Sequence, residues 1–90
     1  MYKKYKLEEY IMLEYDEIED KTYLMNLEDG VMFELNQTAK MIVECIKDNG
    51  NCDRYIEKIV LELGIDKEKV ERDCEKYIAQ LIAKGCICQA

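Results

Sequence analysis

The spacing of hydrophobic residues changes once along the chain, near Asn36. Before Asn36, three short runs are rich in aromatic and aliphatic side chains and are separated by polar turns. Runs of this length and composition predict β-strands. The predicted strands are Tyr10 to Tyr15, Thr22 to Leu27 and Val31 to Leu35.

The turns between these runs predict two hairpins. The polar stretch DEIEDK joins the first two strands, and Glu28-Asp29-Gly30 joins the second and third. An Asp-Gly step supplies the positive φ angle that a tight hairpin needs. The third strand alternates between two sets of residues, which predicts one buried and one exposed face: Val31, Phe33 and Leu35 against Met32 and Glu34.

After Asn36 the apolar residues recur every three or four positions, which predicts amphipathic helices. The first helix follows the N-cap Asn36 and ends at Asn49-Gly50. The second begins at about Asp53 and ends at Gly64, which suits a left-handed cap. The third is capped by Asp66, ends at Gly85 and carries an apolar stripe of Val70, Cys74, Tyr77, Ile78, Leu81 and Ile82.

Three strands followed by three helices predict a single α+β domain over residues 1–90, in which the helices cover one face of the sheet. Strands that are neighbours in sequence usually pair. We therefore expect an antiparallel sheet in sequential order, with the third strand at an edge. Residues 1–8 are expected to form a flexible arm and residues 86–90 a C-terminal tail.

The charge and hydropathy of the chain argue against two kinds of partner. The net charge is −7, and the acidic residues are spread over every segment, so the basic stripe that phosphate binding requires is missing. The cluster of Lys3, Lys4 and Lys6 is interpreted as a solvated part of the arm. No apolar stretch has the length of a signal peptide or a membrane span. We expect a cytoplasmic protein that binds neither nucleic acid nor membrane.

Five cysteines and no histidine bear on metal and redox chemistry. Disulfides are disfavoured in a reducing compartment. A zinc site needs paired ligands at short spacing, and the close pair here is Cys86 and Cys88. Cys45 and Cys74 fall on apolar helix faces, where a thiol packs as a small hydrophobe. We expect no metal and no cofactor.

The third strand is a candidate edge for peptide binding. Its residues Val31, Met32, Phe33, Glu34 and Leu35 include one charge to discourage pairing with another chain. An extended peptide can add to such an edge as a fourth strand. We expect proline at Val31 or Phe33 to remove an open donor and weaken that binding. The same edge can instead pair with a second copy of the chain, which would give a homodimer.

One flank of the third helix can wall the resulting groove. Lys69, Val70, Asp73 and Tyr77 share that flank, where apolar surface, an aromatic ring and both signs of charge lie together. Val70 and Tyr77 would then offer apolar pockets, and Lys69 or Asp73 would fix polar side chains. Alternatively, Val70 and Tyr77 are core residues, and Asp73 pairs with Lys69 or Lys76 on a solvated surface.

Two blocks of the sequence have a specific combined pattern. They are YLMNLEDGVMFELNQTAKMIVECI and VERDCEKYIAQLIAKG, with an apolar helix ending in ELGID between them. Together they resemble the PqqD-like family, also called the RiPP recognition element, over about Tyr10 to Ile87. The matching positions are Gly30, Phe33, Leu35, Asn36, Thr38, Ala39 and Ile42 in the first block, and Val70, Asp73, Tyr77, Ile78, Leu81 and Gly85 in the second. The family often has Trp where this chain has Val43, and a larger aliphatic residue where it has Cys86.

The resemblance implies a winged-helix-like fold and a non-catalytic function. Members bind the leader segment of a ribosomally made precursor peptide and present it to a modifying enzyme. The leader adds beside the third strand and lies against the third helix, which corresponds here to residues 31–35 and to Lys69, Val70, Asp73 and Tyr77. The enzyme implied is a radical SAM peptide maturase, or alternatively a lasso-type leader protease.

Two other functions match parts of the sequence. A winged-helix transcriptional regulator would use Leu63 to Asp66 as the turn of a helix-turn-helix, but its recognition helix would begin DKEKVERDCEK, whose acids suit phosphate poorly. An enzyme would need a catalytic set, and the acidic and basic residues here are scattered without histidine or serine. A redox role for Cys86 and Cys88 is the remaining catalytic alternative.

Overall fold

The structure is a computed structural model that describes residues 4–90. Over these residues the elements are β1 (Tyr5–Leu7), β2 (Ile11–Asp16), β3 (Lys21–Asn26), β4 (Met32–Leu35), α1 (Gln37–Asn49), α2 (Asp53–Leu63), α3 (Lys67–Ala83) and β5 (Ile87–Gln89). The predicted α+β arrangement, a three-stranded antiparallel sheet followed by three helices, is confirmed.

The three-stranded sheet has the predicted order, β2-β3-β4, with antiparallel pairing throughout. Leu24 of the central strand lies between Leu13 of β2 and Phe33 of β4. Leu24 is almost fully buried, so these three side chains mark the face that the helices cover. The opposite face carries Met12 and Met32, which are both exposed.

Side chains of the turn residues hold the two hairpins. Between β2 and β3, Asp16 Oδ1 accepts the Ile18 N–H at 2.9 Å. Between β3 and β4, Asn26 Oδ1 accepts the Glu28 N–H, also at 2.9 Å. Gly30 has a φ angle of +75°, which confirms the positive φ predicted for the Asp-Gly step.

The helix boundaries follow most of the predicted caps. Asn36 Oδ1 accepts the Ala39 N–H at 2.8 Å, so the predicted N-cap of α1 is confirmed. Gly64 adopts the left-handed conformation expected after α2. Asp66 precedes α3 as predicted, but its side chain makes no capping hydrogen bond. The first turn of α3 therefore gains nothing from that carboxylate as a hydrogen-bond acceptor.

A second, two-stranded sheet joins the two ends of the chain and differs from the expected arm and tail. β1 pairs antiparallel with β5, and Leu7 lies opposite Ile87. The Glu8 N–H donates to the Cys86 carbonyl at 3.0 Å and extends the contact. The pairing is favourable because it helps to bury the apolar side chain of Ile87, which is 2% exposed. Residues 1–3 of the expected arm, including Lys3, lie outside the described residues.

The core lies between the three-stranded sheet and the helices. Its least exposed side chains are Leu24, Val43, Ile46, Cys74, Cys86 and Ile87. Val43 of α1 is fully buried and lies at the centre of this core. Within residues 4–90, no helix combines the length and apolar character that crossing a membrane requires.

Candidate functional site

The β4 strand has one partner among residues 4–90. It pairs with β3, and its other edge faces no strand of the described chain. Val31 and Met32 at its start are 44% and 47% exposed. The edge predicted from the sequence is therefore open to another extended chain.

The turn before β4 determines which backbone groups point away from β3. The Asn26 N–H donates to the Val31 carbonyl at 2.9 Å, which makes Met25 and Met32 a pair that exchanges no hydrogen bonds. Alternation along an antiparallel ladder then directs the N–H and C=O groups of Met32 and Glu34 outward. An added strand would therefore pair with Met32 and Glu34.

This register corrects the expected open donors. The Val31 N–H is already donated to Asp29 Oδ1 at 2.9 Å. The Phe33 N–H faces Leu24 of β3, because Phe33 belongs to a hydrogen-bonded pair of the ladder. Proline at Val31 or Phe33 would thus disturb the turn or the sheet rather than the open edge. The alternation of side chains in the sequence does not show which backbone N–H groups of β4 face away from β3.

The side chains of β4 divide between the two faces of the sheet. Leu35 is buried and Phe33 is half-buried, and both lie on the core face. Lys84 Nζ, just beyond α3, lies 5.0 Å from the centroid of the Phe33 ring. Glu34 lies on the outer face, where its Oε1 is 3.7 Å from Lys21 Nζ. The carboxylates of Glu34 and Glu19 raise the pKa of Lys21.

A cleft between the three helices opens at Asn36, the residue that follows β4. We call it the helix cleft; its volume is about 420 Å³. It is lined by Asn36, Thr38, Ala39, Ile42, Tyr55, Ile59, Leu63, Ile65, Lys69, Val70, Asp73, Cys74 and Tyr77. The four α3 residues predicted from the sequence, Lys69, Val70, Asp73 and Tyr77, are therefore brought together on one surface. Asn36 directly follows β4 and lines this cleft.

The helix cleft has an apolar interior and a charged rim. Val70 is 5% exposed and belongs to the core, while Tyr77 is half-buried and packs against it. Burial raises the pKa of both Tyr77 and Tyr55, so both hydroxyls stay protonated at neutral pH. Lys69 and Asp73 are exposed at the rim.

The alternative interpretation of the α3 flank holds in part. Val70 is a core residue, as that alternative required. However, no ion pair among residues 4–90 joins Asp73 to Lys69 or Lys76. The Asp73 carboxylate is thus free to meet a ligand in this structure.

The sequence did not reveal the contribution of α2 to the cleft. Tyr55, Ile59 and Leu63 of α2 line it, together with Ile65 just beyond that helix. Leu63 is 63% exposed. One signal in the sequence would have indicated this apolar rim. Two large aliphatic residues, Leu63 and Ile65, flank the left-handed Gly64.

The cysteines form no bridge and no metal centre in the described part of the chain. Cys45, Cys52, Cys74, Cys86 and Cys88 are free thiols. No cluster of three or more metal-ligating side chains lies within residues 4–90. Cys86 is buried directly before β5, and the Glu8 side chain raises the pKa of the Cys88 thiol.

These features define a class of protein, namely a small α+β domain whose open sheet edge runs into an apolar cleft between helices. The chain belongs to the PqqD family, because the family model described as "Coenzyme PQQ synthesis protein D (PqqD)" matches residues 21–87. The resemblance inferred from the sequence is thereby confirmed.

One solved structure has closely similar architecture: "Lasso peptide synthetase B1 complexed with the leader peptide". The TM-score is 0.82, and the match covers 94% of this chain and 98% of that one at 20% sequence identity. At this identity the similarity establishes the fold. No curated protein matches the chain in sequence.

Proposed function

We propose that the protein binds the leader segment of a ribosomally synthesised precursor peptide and presents it to a modifying enzyme. The observation that carries this proposal is that Asn36, the residue directly after the open β4 edge, lines the helix cleft. One extended peptide can pair with the edge and place a side chain in the cleft. The proposed function is non-catalytic.

The proposed binding mode assigns different tasks to the predicted residues. Met32 and Glu34 supply the main-chain donors and acceptors, while Val31, Phe33 and Leu35 hold the strand against the turn and core. Val70 and Tyr77 offer apolar contact inside the cleft, and Lys69 and Asp73 meet polar groups at its rim. Main-chain pairing would provide affinity, and the cleft would provide specificity.

The family and the similar structure support a peptide ligand. The similar lasso peptide synthetase component is itself a complex with a leader peptide. We infer that the partner enzyme here is a radical SAM peptide maturase acting in the cytoplasm. A lasso-type leader protease is the other candidate. Combining the protein and its precursor peptide with an enzyme of each class, and measuring which one modifies the precursor, would decide between the two candidates.

The charge of the domain bears on the encounter with the leader. A net charge of −7 favours leaders that carry basic residues, because opposite charge speeds association. Pairing over a few residues with apolar anchors gives an affinity in the micromolar range, about −8 kcal/mol, once the leader has been ordered.

The transcriptional-regulator alternative gains no support from the structure. α3, which would have to enter a DNA groove, displays the exposed acids Glu68, Asp73 and Glu75 between exposed bases. The three carboxylates would repel phosphates, so α3 lacks the uninterrupted basic surface that DNA binding favours.

The test is an NMR titration of isotope-labelled protein with a synthetic leader peptide encoded beside its gene. We expect amide shifts at Met32 to Leu35 and at residues lining the helix cleft. Shifts at the β2 edge alone, or no shifts at high micromolar peptide, would contradict the proposal. Sedimentation of the free protein measures its oligomeric state. A dimer would show a third outcome, in which a second copy of the chain occupies the β4 edge.

A further inference from the structure

The outer face of the three-stranded sheet, opposite to the helices, carries a line of three methionines. Met12 of β2 lies opposite Met25 of β3, and Met25 lies opposite Met32 of β4. Residues directly opposite each other on one face of an antiparallel pair have Cβ atoms about 5 Å apart. We call these three residues the methionine row, because they cross all three strands side by side.

The methionine row is accessible in the described chain. Met12 and Met32 are 45% and 47% exposed, and Met25 between them is half-buried. Leu27, two residues after Met25, is 56% exposed at the same end of the sheet. Contiguous exposed apolar groups of this kind mark interaction sites, whereas single ones are ordinary. Methionine suits such a site because its unbranched thioether adapts to an irregular partner surface.

The next row along the same face is acidic. Tyr23 of the central strand lies between Glu14 of β2 and Glu34 of β4. One row further, Lys21 Nζ lies 3.7 Å from Glu34 Oε1 and 3.8 Å from Glu19 Oε2, so its charge is shared between two carboxylates. A protein that covers this face therefore meets apolar surface bordered by negative charge. Lysine or arginine at the rim of its own contact surface would complement that charge.

The methionine row ends at the strand to which the leader is proposed to bind. Met32 belongs to the row, and Met32 and Glu34 carry the outward backbone groups of β4. A leader added there becomes a fourth strand, and every second leader side chain lies on the outer face beside Met32. A protein seated on this face touches the domain and the bound leader together. A second copy of the chain would instead bring another net charge of −7.

We propose that the outer face of the sheet, centred on the methionine row, is the docking surface for the modifying enzyme. The contact surface of that enzyme is apolar with a basic rim. The inference rests on the proposed leader-binding function, because the bound leader is what the enzyme receives. The helix cleft lies on the helical side of the sheet, so leader capture and enzyme docking use different faces and do not compete.

The test measures two affinities separately, with the leader peptide and the peptide-modifying enzyme encoded beside the gene. Met12→Gln and Met25→Gln together replace apolar surface by amides of similar size. We expect the double variant to bind the enzyme about tenfold more weakly by biolayer interferometry. Its affinity for the leader should stay within about twofold of the wild type by titration calorimetry, because neither residue belongs to the β4 edge or the helix cleft. Met12→Gln alone serves as a second variant should the double variant unfold.

Two residues of α2 provide matched controls. Leu61 is an apolar residue that is 84% exposed on that helix, so Leu61→Gln should leave enzyme binding unchanged. Glu14→Gln should weaken enzyme binding about threefold at low salt and less at high salt, because salt screens exposed charges. Glu62→Gln removes the same charge from an exposed position of α2 and should have a smaller effect.

Three results would overturn the docking surface. They are wild-type enzyme affinity in a folded Met12→Gln/Met25→Gln variant, an equal loss in Leu61→Gln, and no enzyme binding by the leader-bound wild type. A dimer that sedimentation detects in the wild type but not in the double variant would assign the face to a second copy instead. Leader binding is measured without the enzyme. Its absence would count against the proposed function, and its presence would confine any of these failures to the docking surface.

Discussion

Lys84 Nζ lies 5.0 Å from the centroid of the Phe33 ring, which brings the end of α3 beside β4. The earlier turns of α3 line the helix cleft, which opens at Asn36 after the end of β4. Strand and helix thus run alongside each other in opposite directions. The contact lies near one end of the proposed groove, between its two walls.

The first prediction measures that contact. Cation–π pairs at partly exposed sites contribute about 0.5–1 kcal/mol. A double-mutant cycle of Lys84→Gln and Phe33→Leu, followed by denaturant unfolding, should give a coupling energy in that range. Lys76→Gln on the same helix is the control and should show no coupling to Phe33→Leu. Coupling near zero for Lys84 would mean that the contact does not hold the groove.

The second prediction concerns the outward N–H of Glu34. In Glu34→Pro this donor is lost while the ladder to β3 is kept, because proline is tolerated where its nitrogen faces away from the sheet. We expect leader affinity to fall about tenfold, or about 1.4 kcal/mol, by titration calorimetry.

Two controls accompany this proline. Glu34→Gln keeps the N–H and removes the carboxylate, so its affinity should stay near that of the wild type. Tyr15→Pro places proline on the opposite edge of the sheet and should also spare binding. If Glu34→Pro folds and binds like the wild type, strand addition at β4 is wrong.

Local signals in the sequence predicted most of the sheet and the helices. Gly30 and Asn36 have short-range roles, in a turn and in a cap, and these can be recognised from the residue type and its neighbours. The alternation in β4 and the helical spacing in α3 likewise predict faces, so Lys69, Val70, Asp73 and Tyr77 could be grouped before the structure was known.

The remaining features depend on contacts that sequence neighbours do not encode. The Leu7–Ile87 pairing joins opposite ends of the chain through strands of three residues, too short to show a pattern. The outward direction of Glu34 follows from the hydrogen bond between Asn26 and Val31. The share of α2 in the helix cleft depends on how that helix packs beside α3.

The third prediction tests the terminal sheet. Leu7 is half-buried opposite Ile87, whereas Lys6 is exposed in the same strand. We expect Leu7→Ala to lower the free energy of unfolding by about 2 kcal/mol and Lys6→Ala to change it by less than about 0.5 kcal/mol. Thermal and urea unfolding measure both. Faster alkylation of Cys86 in Leu7→Ala would show that β5 has loosened, and equal stability of the two variants would contradict the structural role of β1.

The fourth prediction separates a binding role for Asp73 from a structural one. The Asp73 side chain is exposed, lines the helix cleft and has no ion-pair partner among residues 4–90. Asp73→Asn should therefore leave the free energy of unfolding within about 0.5 kcal/mol of the wild type. It should weaken leader binding severalfold, because a charge-assisted contact at the rim is lost.

Glu75→Gln is the matched control, since Glu75 is an exposed acid of the same helix that does not line the helix cleft. Removing its charge changes the net charge of the domain as much as Asp73→Asn does. If both variants weaken binding equally, the effect is long-range electrostatics, and it should vanish at high salt because exposed charges are screened. If only Asp73→Asn weakens leader binding, and the effect persists at high salt, the Asp73 carboxylate contacts the leader directly.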